Sequence, residues 1–306
     1  MLQIRYGITD LNIDVTDICH SKLKKFNYIY IPKGDHNRAQ YFTDPLINIL
    51  KSVFIYNNKQ IIREITDQEE LFIDIITNEL YTEMPDKFKE LYLIPILKLK
   101  QIHSQLKLDF GTFDDEFPEQ LMAVRYLTGK EKVLEIGGNI GRNSLVIAYI
   151  LNMNNNNNFV SLESDSDIAN QLTYNRNQNN LDFKIESSAL SNRNLIQSGW
   201  TTMVSDIVLP SYKKVNTINY NDFKEKYNIN FDTLVVDCEG ALYYILMDMP
   251  QILDNIKLII MENDYNDINH KNYIDEILKE RDFKLDYVES GGWGPCFNNF
   301  FEVWKK

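Results

Sequence analysis

Hydrophobic positions in the first sixty residues fall in short β-branched and aromatic runs, "LQIRYG", "LNIDVT", "FNYIYIPKG" and "KSVFIYNNKQIIREI", separated by turn residues. Runs of that kind predict strands. A hairpin is expected around Asn57 and Asn58 in "FIYNNKQII", and one short helix at "DPLINILK". From Thr66 the period lengthens. "TDQEELFIDIITNEL" opens with a capping-box pair, Thr66 and Glu69. "DKFKELYLIPILKLKQIHSQL" has apolar residues at helical spacing, with Pro95 expected to kink or divide it. "DDEFPEQLMAVRYLTG" reads as a further helix stopped by Gly129.

Beyond Lys132 strand and helix patterns alternate. Strands are expected at "KVLEI", "NFVSLES", "FKIESSAL", "DTLVVDCEG" and "KLIIMEN". Helices follow the first, second, fourth and fifth, and an irregular stretch, Asn192 to Tyr220, separates the third strand from the fourth. Two last antiparallel strands, joined by "GGWGPC", close the pattern. Such alternation implies an α/β fold with a parallel, Rossmann-like sheet and crossover helices. The expected organisation is a β-rich accessory domain over 1–62, a helical connector over 63–114 and an α/β domain over 115–306.

Composition narrows the setting. The 306 residues carry a formal net charge of −12, which disfavours nucleic acid as the main partner, since grip on phosphate backbones needs basic surface. Three dispersed cysteines form no metal or disulfide framework and suit a reducing compartment. No signal pattern or membrane-length apolar run is visible, so the expectation is a soluble cytoplasmic protein without a membrane partner, with homo-oligomerisation left open.

The candidate chemistry centres on "EKVLEIGGNIGRNSLVIAYIL", Glu131 to Leu151. A dinucleotide fingerprint would need a glycine at Asn139, and a phosphate loop would need a Gly-Lys-Ser/Thr sequence. Neither is present. An acidic strand end followed by Gly137, Gly138, Asn139 and Gly141, with Ser144 on the next helix, instead fits a cradle for the methionine part of S-adenosylmethionine. In that reading Glu135 receives the amino group, directly or through water, and the turn amides receive the carboxylate region. Glu163 ends the second strand, where a carboxylate accepts ribose hydroxyls. Ser187, Ser188 or the backbone of Ala189 would read the adenine edge.

"VLEIGGNIGRNSLVIA", "ESSALS" and "DTLVVDCEGALYYIL" resemble the FkbM-type methyltransferases in order and spacing, over roughly Glu116 to Trp304. The resemblance implies a class I S-adenosylmethionine-dependent fold and methyl transfer to an oxygen, often on sugars or sugar-bearing natural products. Glu135 stands where aspartate is common, and the long N-terminal extension lies outside the family core. That extension and the asparagine-rich usage are similar to proteins of large DNA viruses that carry glycan-modifying enzymes.

Methyl transfer to a hydroxyl calls for alignment and for a base or a metal. Asp237 and Glu239 follow the fourth strand; Glu262 and Asn263 follow the fifth. One carboxylate, Asp237 or Glu239, would act as base. Alternatively Asp237, Glu262 and Asn263 would hold Mg2+, an oxygen-rich set. The bland reading is that Glu239 and Glu262 cap helices or make structural pairs. His270 reads as a surface histidine, and Trp293 as either a sugar-stacking residue or a packed loop residue. The expected function is O-methylation of a sugar or glycan hydroxyl. The alternatives are an RNA ribose 2′-O-methyltransferase and a non-catalytic glycan- or partner-binding protein on the same fold.

Overall fold

A computed structural model describes residues 2–306. The chain divides into two compact units, Met1–Ile96 and Leu97–Lys306.

The first unit is built on two antiparallel four-stranded sheets. One runs Leu11–Asp14, Gln3–Ile8, Ser52–Asn57, Gln60–Ile65; the other runs Lys24–Lys25, Tyr28–Ile31, Leu71–Asp74, Leu80–Tyr81. Ile4, Tyr6, Val53 and Ile55 of the first pack with Ile29, Ile31, Leu71 and Ile73 of the second in one core. The hairpin turns at Asn58 and Lys59, both at positive φ (48° and 67°), one residue beyond the expected centre.

Two expected helices are corrected. "TDQEELFIDIITNEL" is not helical: Glu69 Oε2 accepts from Thr66 N at 3.0 Å and Thr66 Oγ1 at 2.9 Å, making a turn, and Leu71–Asp74 then pairs with Tyr28–Ile31. Cross-strand burial of Phe72 and Ile73 overrides the local cap signal. "DPLINILK" is also irregular, because the buried Lys51 ammonium gathers Asp35 (2.9 Å), Asp44 (2.8 Å) and the carbonyls of Leu46 and Ile49. The helix here is Asp35–Phe42. A π-helical turn, Lys89–Leu93, precedes Pro95, and the α-helix Ile94–His103 follows.

The second unit holds a seven-stranded mixed sheet: β1 (Val133–Ile136), β2 (Phe159–Leu162), β3 (Lys184–Glu186), β4 (Thr233–Val236), β5 (Leu258–Glu262), β6 (Lys284–Glu289) and β7 (Phe301–Lys305). Its order is β3-β2-β1-β4-β5-β7-β6. The first five are mutually parallel, and β7 is antiparallel to both β5 and β6. This is an α/β, Rossmann-like architecture with a mixed central sheet. β1, β2 and β4 are buried at every position because helices cover both faces. Connections run from β1 outward to β2 and β3, then return to β4 on the other side of β1. The crevice at that reversal lies at the carboxyl ends of β1 and β4, where open sheets bind ligands. Among the described residues no helix is long and apolar enough to cross a membrane.

Candidate functional site

A cavity of about 720 Å3 opens at this crevice, within the range of small-molecule sites, about 300–1,000 Å3. One wall is the turn after β1. Gly137 (φ +94°) has no room for a side chain: a Cβ there would lie 1.5 Å from the carbonyl oxygen of Asp237. The glycine thus lets the turns after β1 and β4 touch backbone to backbone. At Gly138 a Cβ would strike Ser161 Oγ at 2.2 Å, and Gly141 caps the helix Arg142–Asn152.

The turn differs from the expected cradle in two ways. Gly137 N and Gly138 N both donate to Leu162 O (3.0 and 2.9 Å), Asn139 N to Glu163 Oε2 (2.9 Å) and Gly141 N to Gly138 O (2.9 Å). These amides are spent inside the protein and are not free for a ligand carboxylate. Glu135 and Ser144 also lie beneath the turn and do not line the cavity. Ser144 Oγ donates to Glu135 Oε2, and Ser161 Oγ does so at 2.6 Å. Parallel register explains it: Glu135 is flanked by Ser161 and Val235 in the middle of the sheet. Burial pushes the Glu135 carboxyl up to about 7, against the two hydroxyl bonds.

Asn139 and Glu163 do face the cavity. Glu163 accepts from Asn139 N and, at 2.8 Å, from Asp165 N, which fixes its carboxylate at the end of β2. Ser188 and Ala189 line the wall after β3. Ala189 N is engaged with Asn216 O (2.8 Å), so its amide cannot read an adenine edge. Ser188 Oγ donates to Glu186 Oε1 (3.0 Å) and keeps its lone pairs.

The floor is acidic. Asp237, Glu239 and Glu262 line it together with Glu116 and Glu119. The two last residues lie at the start of the helix Phe117–Tyr126, with Glu116 as its left-handed N-cap (φ 57°). They are the site residues missed by sequence reasoning, which took "DDEFPEQ" only as a helix start; the crowding of four acids around one N-terminus was the available signal. Asn139 Nδ2 donates to Glu116 Oε1 (3.1 Å), and Arg142 Nη1 bonds the same oxygen at 2.7 Å. Asn263 does not line the cavity: its Nδ2 donates to Asn299 O (2.6 Å), so the expected Mg2+ set of Asp237, Glu262 and Asn263 does not form as drawn.

Burial raises every carboxyl of this floor that shows a shift. Glu262 is pushed up to about 12 by burial, a hydrogen bond with Glu119 and the neighbouring Asp237; burial and the facing carboxylates push Asp237 well up. Burial beside Glu239 takes Asp264 up to about 7, and burial raises Glu239 itself. Folding therefore favours the protonated forms. Their stabilising contribution is complete below the unfolded value near 4.5 and is lost as pH rises through the folded values. The free chain is expected to be less stable at pH 8 than at pH 5 in denaturant unfolding, by about 3 kcal/mol from Glu135 alone at one pH unit per ~1.4 kcal/mol. Equal stability at the two pH values would contradict this protonation pattern.

The remaining wall comes from the insertion between β3 and β4, a three-stranded antiparallel sheet of Thr201–Val204, Leu195–Ser198 and Lys213–Val215. Trp200 and Met203 from this insertion line the cavity, as does Arg193, whose guanidinium is forked onto Asp248 (2.6 and 2.7 Å) over the Tyr244 ring. Trp293 is half-exposed and lies outside the cavity; His270 stacks on Tyr243 at 3.8 Å between centroids, also outside it.

No family profile and no curated protein sequence matches this chain. Its fold is similar to several solved methyltransferase structures. The O-methyltransferase from Bacillus cereus in complex with SAH shares 16% identity at a TM-score of 0.39, covering 72% of this chain and 96% of that one. TomG, an O-methyltransferase from Streptomyces achromogenes, shares 14% at 0.41, covering 69% and 88%. The methyltransferase FkbM from Methylobacillus flagellatus KT shares 9% at 0.42, covering 70% and 59%.

Proposed function

We propose that the second unit binds S-adenosylmethionine and transfers its methyl group to a hydroxyl of a sugar or glycan. The observation that carries this reading is one continuous cavity lined by Glu163 and Ser188 together with five further carboxylates, Glu116, Glu119, Asp237, Glu239 and Glu262. Glu163 would accept the ribose hydroxyls with the lone pairs its two backbone donors leave, and Ser188 would meet the adenine edge. The cofactor's ammonium and sulfonium charges suit the acidic floor.

In the transfer, the acceptor oxygen attacks the methyl carbon in line, the carbon–sulfur bond breaks and S-adenosylhomocysteine leaves uncharged. The hydroxyl proton passes to a carboxylate, Asp237 or Glu239. Burial raises both, which makes each a better proton acceptor once ionised. A polyhydroxyl acceptor offers donors to these carboxylates, whereas the acidic floor repels a phosphate backbone and so weighs against RNA.

Glu163→Gln tests the cofactor placement. It keeps one acceptor for the backbone amides but loses the charge. Affinity for S-adenosylhomocysteine by calorimetry is expected to fall roughly tenfold or more, the worth of a charge-assisted hydrogen bond of about 1.5–3 kcal/mol. No binding by the wild type would sink the reading; undiminished binding by the variant would sink the ribose role. Gly137→Arg would be a poor probe, since its Cβ collides with Asp237 O whatever the ligand.

A further inference from the structure

Three carboxylates on the cavity floor converge from three separate elements. Glu119 enters from the helix Phe117–Tyr126, Asp237 from the turn after β4 and Glu262 from the end of β5. One oxygen of each lies within 4.8 Å of the other two. Glu119 is 6% exposed and faces the cavity, yet its Oε2 has no hydrogen-bond partner. A buried acceptor of this kind is costly until a positive group reaches it. Arg193, the one basic residue lining the cavity among the described residues, is committed to Asp248.

We propose that Glu119, Asp237 and Glu262 form a cation-binding subsite. Oxygens spaced this way surround either of two cations. A hard divalent ion such as Mg2+ takes oxygen ligands and retains several waters. The ammonium group of an amine-bearing acceptor presents three N–H donors to three carboxylate oxygens. Glu119 supplies the ligand that Asn263, turned toward Asn299, does not. A divalent ion would polarise an acceptor hydroxyl bound to it; an ammonium would orient its own molecule beside Asp237. The subsite stands on the convergence of the three side chains, and only its part in methyl transfer rests on the reading above.

The test uses the full chain, stripped with a chelator, at pH 7.5 and without cofactor. It is titrated in separate arms with Mg2+, Mn2+ and Ca2+ and with glucosamine against glucose, by calorimetry and thermal melting. The expected result is saturable binding in one arm and a melting rise of about 5 °C or more at roughly a hundredfold excess over Kd. Glu119→Gln should weaken that binding at least tenfold; if it fails to fold, Glu262→Gln carries the same expectation. Binding of metal alone assigns a metal site, and binding of glucosamine but not glucose assigns an ammonium pocket. Binding in neither arm, or equal binding by wild type and variant, overturns the subsite. S-adenosylhomocysteine binding is measured alongside. Its failure with cation binding intact would sink the cofactor reading alone, and the reverse would sink the cation subsite alone.

Discussion

Gly137→Ala is expected to destabilise the second unit by on the order of 4 kcal/mol or more, against a typical total stability of about 5–15 kcal/mol, and so to lower its melting temperature by roughly 10 °C or more. Two costs add at one atom. The residue sits at φ +94°, where an L side chain is strained, and the new methyl would lie 1.5 Å from Asp237 O. Neither neighbour can yield cheaply. Asp237 N is bonded to Ile136 O (3.0 Å), and Gly137 N to Leu162 O (3.0 Å), so both turns are tied to the sheet. Relief would require parting β1 from β4 at the centre of the sheet. Thermal melting with circular dichroism reads the result. Gly199→Ala is the contrast: that hairpin glycine also has positive φ (53°), but nothing lies within 4 Å of a Cβ there, so only a small loss is expected. A Gly137→Ala chain melting like wild type would mean the two turns do not meet as described.

The elements of the second unit were legible because their signals are local and agree with one another. "KVLEI", "NFVSLES" and "DTLVVDCEG" are apolar runs closed by turn residues, and each became a central strand, β1, β2 and β4. The errors of the first unit arose where tertiary contacts outweighed a local signal. Thr66 donates its amide and hydroxyl to the Glu69 carboxylate without a helix following, because Phe72 and Ile73 find partners in Tyr30 and Ile29. Lys51 is buried and organises the 44–51 turn through two carboxylates, which the local pattern of "DPLINILK" does not show.

The lining of the cavity was legible where a residue's position follows from its place at a strand end, and opaque where it depends on direction. Glu163 and Asp237 follow β2 and β4 and face the cavity. Glu135 is the third residue of β1, and only the register with Ser161 and Val235 reveals that it points into the sheet. Asn263 and Glu262 are adjacent in sequence but turn opposite ways, as successive strand residues do. Glu119 was out of reach by pattern, since it precedes the glycine turn and joins Asp237 and Glu262 only through packing of its helix.

Asp237→Asn is expected to abolish most transfer and at the same time to stabilise the protein. The amide keeps the shape of the side chain but accepts no proton and carries no charge, so kcat should fall on the order of 10²–10⁴, the usual worth of a positioned base. Cofactor affinity should change far less than kcat, because Glu163 and Ser188, which would hold the nucleoside, are untouched. Stability should rise at pH 8. Burial and the facing Glu116, Glu119, Asp264 and Glu239 all oppose the ionised carboxylate, and asparagine removes that opposition. Each kcal/mol recovered raises the melting temperature by roughly 2–4 °C in a chain of this size class. The gain should shrink as pH falls and vanish only below about 3.8, where the carboxyl is protonated in the folded and unfolded chain alike. In the wild type kcat should climb with pH, since Asp237 must ionise before it can accept a proton, and the variant should lose that slope. An unchanged kcat would remove Asp237 from the chemistry. A lower melting temperature at pH 8 would mean that its charge is structurally paired. Both losses together would make it a structural residue, whereas lost activity with raised stability is what a strained catalytic carboxylate predicts.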